Sequence, residues 1–228
     1  MLIKRYGRLF VAALGIALSC VASGTEAPKT ALHNLKSGNQ RFVSGKASHC
    51  QVSDEKIAAH KKAQTPDAVI LSCSDSRVPP ERIFDQDIGE LFTIRVAGNV
   101  LSEDVVASIE YAVQSLGARL VVVMGHGSCG AIKAAVSKKT DREAGSPNLN
   151  HLIEEIRNNL VTQGDRAGQG GATSSDTTYT DAAKKNVSAV AADLMKRSKI
   201  VRDAVQAGKL QIAQAMYDLG SGQVKFAE

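Results

Sequence analysis

The chain has 228 residues, 43% hydrophobic and 22% charged, which is enough to bury one real core and excludes a natively unfolded chain. Its formal charge of +5 falls to +2 once the first 24 residues are set aside, because these carry Lys4, Arg5 and Arg8 and no acidic residue, leaving 25 basic side chains against 23 acidic ones. With no tryptophan and no basic cluster interleaved with aromatics, nucleic-acid binding is excluded as a function.

The N-terminus reads as a targeting segment. Lys4, Arg5 and Arg8 precede an uncharged apolar run of 14 residues, 9–22, followed by small residues through Gly24. That run is shorter than the roughly 18 to 20 residues a bilayer-spanning helix requires, so no membrane span is expected. Residues 1–24 are therefore expected to be a secretory signal peptide, with export to the periplasm or beyond, and residues 25–228 a single domain. Cys20, in "ALSC", stands where a bacterial lipidation site would, but Ala17 occupies the usual leucine position, so peptidase cleavage is preferred over a lipid anchor. The mature chain keeps Cys50, Cys73 and Cys129. An odd number of cysteines in an oxidising compartment does not describe a disulfide framework.

From Thr30 the pattern is helical. "ALHNLKSGNQRFV" and "SDEKIAAHKKA" are polar, weakly amphipathic arms separated at Gly45. "DAVILSC", residues 67–73, is a continuous apolar run of the kind a strand buried on both faces presents, and "LFTIRV" (91–96) and "RLVVVM" (119–124) repeat it. Between the last two lies "SEDVVASIEYAVQSLG", with Ser102 as N-cap, a stripe of Val105, Val106, Ile109, Ala112, Val113 and Leu116, and Gly117 as the stop. Residues 148–161 read as a further helix, 164–180 as a Gly/Ser/Thr loop, and 181–207 as one long helix. "LQIAQAMYDLGSGQVKF" closes the chain with two strands about a glycine-containing turn. Strands alternating with helices predict an α/β fold: a mainly parallel sheet flanked by helices, with N-terminal helical arms and a C-terminal strand pair. Ligands in such folds collect at the carboxyl ends of the strands.

The most informative stretch is "VVVMGHGSCGAIKAAV". Its Gly125-x-Gly127-x-x-Gly130 resembles a dinucleotide turn, but no strand and no acidic residue follow at the required distance. A nucleophile elbow fails as well, since His126 rather than glycine stands two before Ser128. A metal site fits better. Cys73 ends one buried strand and His126-x-x-Cys129 follows another, so a parallel sheet would bring two thiolates and one imidazole to one edge, with the glycines permitting a tight turn. Three ligands without a fourth describe an open, catalytic Zn2+ site. Asp75, two residues from Cys73, would either fill the fourth position or accept a hydrogen bond from a water there. Arg77 can pair with it bidentately, which lowers its pKa and favours the second role. His33, His49, His60 and His151 read as solvated surface residues.

"CSDSR", "RVAGN" and "GHGSCGAIKA" together resemble a β-class carbonic anhydrase, and the likeness runs from "LKSGNQRFVSG" to "YDLGSGQVKF", nearly the whole mature chain. The resemblance implies Cys73, His126 and Cys129 as the ligands of one zinc ion, Asp75 with Arg77 as the catalytic dyad, and carbon dioxide and bicarbonate as substrates. It also implies that the N-terminal helices wrap a partner, giving a homodimer or higher homo-oligomer. Gln64, Phe92 and Tyr111 match the residues that shape the carbon dioxide pocket in the family's open form. Ile70 and Ser72 stand where the closed, bicarbonate-regulated form has tryptophan and glycine, so a permanently open site is expected. Two alternatives use the same three ligands: a zinc-holding or redox-sensing protein, which has no need of Asp75 and Arg77, and a related zinc lyase acting on another small linear substrate such as carbon disulfide.

Overall fold

A computed structural model describes residues 28–49, 53–137, 145–162 and 176–227. The expected signal peptide, Cys20 and Cys50 lie outside them. The elements in order are α1 (Pro28–Val43), α2 (Asp54–His60), β1 (Ala68–Ser72), α3 (Pro80–Ile83), β2 (Leu91–Arg95), a 3-10 turn (Ala97–Asn99), α4 (Glu103–Gln114), β3 (Leu120–His126), α5 (Gly130–Val136), α6 (Pro147–Thr162), α7 (Asp176–Arg197), α8 (Lys199–Gln206), β4 (Gln211–Tyr217) and β5 (Val224–Phe226). The five strands form one sheet in the order β2-β1-β3-β4-β5, parallel throughout except for the antiparallel β4–β5 pair that closes the chain.

The apolar runs become strands because their side chains have partners on both faces. Val69, Leu71, Val121 and Val123 point to one side, where Val105, Val106, Ile109 and Ala112 of α4, Val187, Val190 and Leu194 of α7 and Val201 of α8 cover them. Ala68, Ile70, Leu120, Val122 and Met124 point to the other, against Ala31 and Leu35 of α1 and against Ile83 and Phe84. This is the period of two expected of a pleated strand. Every residue of β1 and β3 is buried.

β2 departs from the sequence reading. It resembles its neighbours in composition, yet four of its five residues are half-buried and Arg95 is exposed, because β2 forms an edge of the sheet. α4 begins as expected, with the Ser102 hydroxyl accepting from Val105 N–H at 3.4 Å, and Gly117 follows it at φ +75°. The long helix expected over 181–207 is two. The chain breaks at the fully buried Ser198, whose hydroxyl accepts from Val201 N–H at 3.1 Å to cap α8 and donates to Glu110 Oε1 at 2.6 Å on α4. α7 also begins five residues earlier than expected, so residues 176–180 of the anticipated loop are helical.

The two N-terminal helices behave differently. α1 packs on its own chain: Asn39 donates to the carbonyls of Ile83 (3.1 Å) and Gly222 (2.9 Å) and accepts from Val224 N–H (2.8 Å). A Cβ on Gly38 would stand 1.7 Å from the Phe84 carbonyl oxygen, so only glycine permits this approach. α2 buries no residue, leaves Ile57 exposed and is tied to the body by the Lys56–Asp87 ion pair. Of the two arms, α2 alone stands clear of the core.

Candidate metal centre

Strand order places the site. From β1 the chain crosses to β2 on one side, and from β3 it leads to β4 on the other, so the two connections diverge above the adjoining carboxyl ends of β1 and β3 and leave a crevice. Cys73 directly follows β1, His126 is the last residue of β3, and Cys129 is the N-cap of α5. The turn between them does not use its glycines for a left-handed backbone. Ser128 takes that conformation, at φ +51°, whereas Gly125, Gly127 and Gly130 are not among the positive-φ residues. Gly125 is needed for space, since a Cβ there would meet Val187 Cγ2 at 2.7 Å and Met216 Sδ at 3.1 Å.

The potential ligand atoms of Cys73, His126 and Cys129 lie within 4.8 Å of one another, and all three residues are buried. The two sulfurs are 4.0 Å apart. His126 Nδ1 lies 2.8 Å from the carbonyl oxygen of Gly127, so Nδ1 carries the proton and donates it there, leaving the Nε2 lone pair facing inward. That Nε2 is buried without a hydrogen-bond partner. A buried acceptor between two thiols, with its tautomer already set by a backbone carbonyl, is the arrangement a thiophilic cation completes. The residues present therefore fit a zinc ion, with two sulfurs and one nitrogen as donors.

Asp75 faces this cluster, its Oδ2 lying 3.8 Å from His126 Nε2. Arg77 engages both carboxylate oxygens, Nε to Oδ1 at 2.9 Å and Nη2 to Oδ2 at 2.7 Å, and its backbone N–H adds a third bond to Oδ1 at 2.9 Å. The Arg77 guanidinium accordingly holds the Asp75 carboxyl well below the usual carboxylate range, against a smaller opposing effect of burial. Among the thiols, Cys73 is drawn down to about 4, chiefly because a thiolate there accepts a hydrogen bond from Cys129, with the Gly98 N–H adding to it, against the opposing effect of burial. Cys129 is pushed up, since its proton is shared with Cys73 and a second buried negative charge beside the first is opposed. Without a cation, the pocket holds one thiolate easily and resists two.

This geometry has counterparts. The family model for carbonic anhydrase matches residues 68–224. The chain is 36% identical to a carbonic anhydrase of Mycolicibacterium smegmatis, over 87% of this chain and 92% of that one, and 36% identical to carbonic anhydrase 2 of Mycobacterium tuberculosis, over 86% and 91%. Among solved structures it is similar to a Coccomyxa β-carbonic anhydrase in complex with acetazolamide, with a TM-score of 0.67 and 27% identity over 85% of each chain. A tetrameric β-carbonic anhydrase of Sordaria macrospora is also similar, with a TM-score of 0.63 and 25% identity over 86% of this chain and 96% of that one. The chain belongs to the β-class carbonic anhydrases.

In this β-carbonic anhydrase the five residues Cys73, Asp75, Arg77, His126 and Cys129 converge, but the expected pocket residues do not join them within one chain. Phe92 pairs in register with Val69 and Arg95 with Ser72, so Phe92 lies about four residues, or roughly 13 Å, down the strand from Cys73. Its ring meets that of the half-exposed Tyr111, centroids 6.2 Å apart, on the β2 edge, and Gln64 is exposed before the amino end of β1. Two groups that the sequence reading missed do reach the site. Arg95 donates to the carbonyls of Cys73 (3.2 Å) and Asp75 (2.6 Å), fixing the Cys-x-Asp segment by its backbone, and Gly98 N–H donates to Cys73 Sγ at 3.4 Å. Both lie in "RVAGN", one of the stretches that carries the resemblance, but only the charge at the end of an otherwise apolar strand hinted that Arg95 had a task of its own.

The 4.0 Å separation of the sulfurs makes the metal-free site oxidisable. Chelator-stripped protein exposed to oxidised glutathione should join Cys73 to Cys129, releasing two protons and passing two electrons to the reagent. Peptide mapping after alkylation checks this: both cysteines should resist labelling until reduced, and full labelling of both would contradict it.

Proposed function

We propose that Cys73, His126 and Cys129 hold one zinc ion and that the enzyme uses it to hydrate carbon dioxide reversibly to bicarbonate and a proton. The observation that carries this reading is the partnerless buried Nε2 of His126 between two buried thiols, with an Arg77-held carboxylate 3.8 Å away. Zinc, when bound, supplies Lewis acidity that makes water nucleophilic near neutral pH. The rest is work for the chain's own groups. Asp75, kept ionised by Arg77, is an acceptor only, so it takes a hydrogen bond from the attacking oxygen and turns that oxygen's lone pair toward carbon dioxide. Arg95 keeps Asp75 at the right height by holding the backbone on either side of Ser74.

Chelation should abolish hydration and added zinc restore it. Asp75→Ala should keep its zinc, measured by elemental analysis, and lose turnover by at least about a hundredfold. An unchanged rate in the zinc-loaded variant would remove Asp75 from the mechanism.

The separation of Gln64, Phe92 and Tyr111 from their own chain's cluster, together with their exposure beside an edge strand, supports a second reading of the pocket: these residues line the site of a partner copy in a homo-oligomer. The exposed α2 and the tetrameric relative support the same assembly. Asp75→Ala and Phe92→Ala chains refolded together should then regain more activity than the sum of the two refolded apart, because one site of each mixed dimer would carry both native halves. Strict additivity would place the pocket within one chain.

Residues 1–24 we read as a cleaved export signal. Periplasmic fractionation with N-terminal sequencing should find mature protein starting near residues 23–25, and full-length protein in the cytosol would reject this.

A further inference from the structure

The Gly98 N–H that donates to Cys73 Sγ belongs to a turn that contacts side chains of three helices. Gly98 lies in the 3-10 turn after β2 at φ +67°, ψ +15°, and a Cβ there would stand 2.7 Å from Ile156 Cδ1 and 3.2 Å from Ala131 Cβ. The turn is thus pressed against α5 and α6. Its carbonyl is held as well. Gly98 O accepts from Asn186 Nδ2 at 2.9 Å, and Asn186 is a fully buried side chain on α7. The Oδ1 of Asn186 accepts in turn from Asn159 Nδ2 of α6 at 2.8 Å. A side-chain amide can face either way, and the Gly98 carbonyl, which can only accept, decides which: nitrogen toward Gly98, oxygen toward α6, where Asn159 donates to it.

A wholly buried asparagine next to Val187 and near Ala183 and Val190 is an unusual choice on an otherwise apolar helix face, since a hydrophobe of similar volume would pack there without needing partners. We infer that Asn186, braced by Asn159, is a positioning residue for the metal: by pinning the Gly98 carbonyl it keeps the Gly98 N–H directed at the Cys73 sulfur. The inference rests on the reading that the cluster holds zinc. Two thiolates and a neutral imidazole cancel the ion's charge, which weakens it as a Lewis acid. A hydrogen bond to one thiolate withdraws part of the donated charge and restores electrophilicity. Asn186 does not touch substrate or metal. It acts through the backbone of Gly98.

Cobalt(II) substitution in the full-length protein reads this directly, because the sulfur-to-cobalt charge-transfer band reports the electron density on the thiolates. Asn186→Leu, which keeps volume and removes both hydrogen bonds, should bind cobalt stoichiometrically, move that band to longer wavelength, and lower kcat of the zinc form by about tenfold with KM unchanged. Asn159→Ala should move the band the same way by less, and it carries the test if Asn186→Leu does not fold. Val190→Ala, a core substitution on the same helix, should lower the melting temperature without moving the band. A band that stays fixed in folded Asn186 or Asn159 variants overturns the inference and leaves both residues as packing. A wild-type protein that binds no cobalt or zinc overturns the zinc reading itself, and this inference with it.

Discussion

The cluster at the β1–β3 crevice is unstable as protein alone. A buried acceptor without a donor costs about 1 to 3 kcal/mol, and a second buried thiolate beside the first costs more. His126 Nε2 has no partner, and the Cys73–Cys129 pair holds one negative charge while resisting two. A dication reverses both penalties at once, by accepting the imidazole lone pair and neutralising the sulfurs. Three of the four partnerless buried polar atoms among the described residues, on Ser72, Asn99 and His126, sit at this end of the sheet, so that polar deficit is concentrated around the candidate metal centre.

The scaffold serves that deficit by fixing backbone rather than side chains. Arg95 grips the carbonyls of Cys73 and Asp75, the Gly127 carbonyl sets the tautomer of His126, and Gly98 donates to Cys73 from a turn wedged between helices. Each of these groups acts on a main-chain atom or through one. The one side-chain pair that stands apart is Asp75 with Arg77, which is partly open to solvent and is held by three hydrogen bonds within a three-residue stretch. A nearly local motif suffices there because the acceptor needs only to be charged and aimed.

That division explains what could be read from the sequence. β1 and β3 were legible because a strand buried on both faces must be apolar throughout, and the ligands were legible because cysteine and histidine at the ends of such strands have few other uses. β2 shares the same composition, yet its place at the edge is a property of strand order that no local pattern carries. The break at Ser198 was hidden for a similar reason: a serine inside a helical pattern becomes a cap only when Glu110, 88 residues earlier, is there to bind it. Asn186 was invisible, and the role of Arg95 within "RVAGN" was hidden, because their targets are carbonyl oxygens, which every residue has. Gln64, Phe92 and Tyr111 came from likeness alone, and their spacing along the strand says nothing about which copy's site they face.

Cys73 and His126 are 53 positions apart in the chain, and β3 in turn pairs with β4, some ninety residues further on, across α5 to α8. Parallel pairings of this kind form late, because the entropy of closing such long loops is lost before any contact repays it. No fragment of the chain brings both sulfurs and the imidazole together before β1 and β3 have zipped side by side. Metal capture at this cluster would therefore work as a completion signal, able to latch a chain whose sheet is in register and blind to one whose sheet is not.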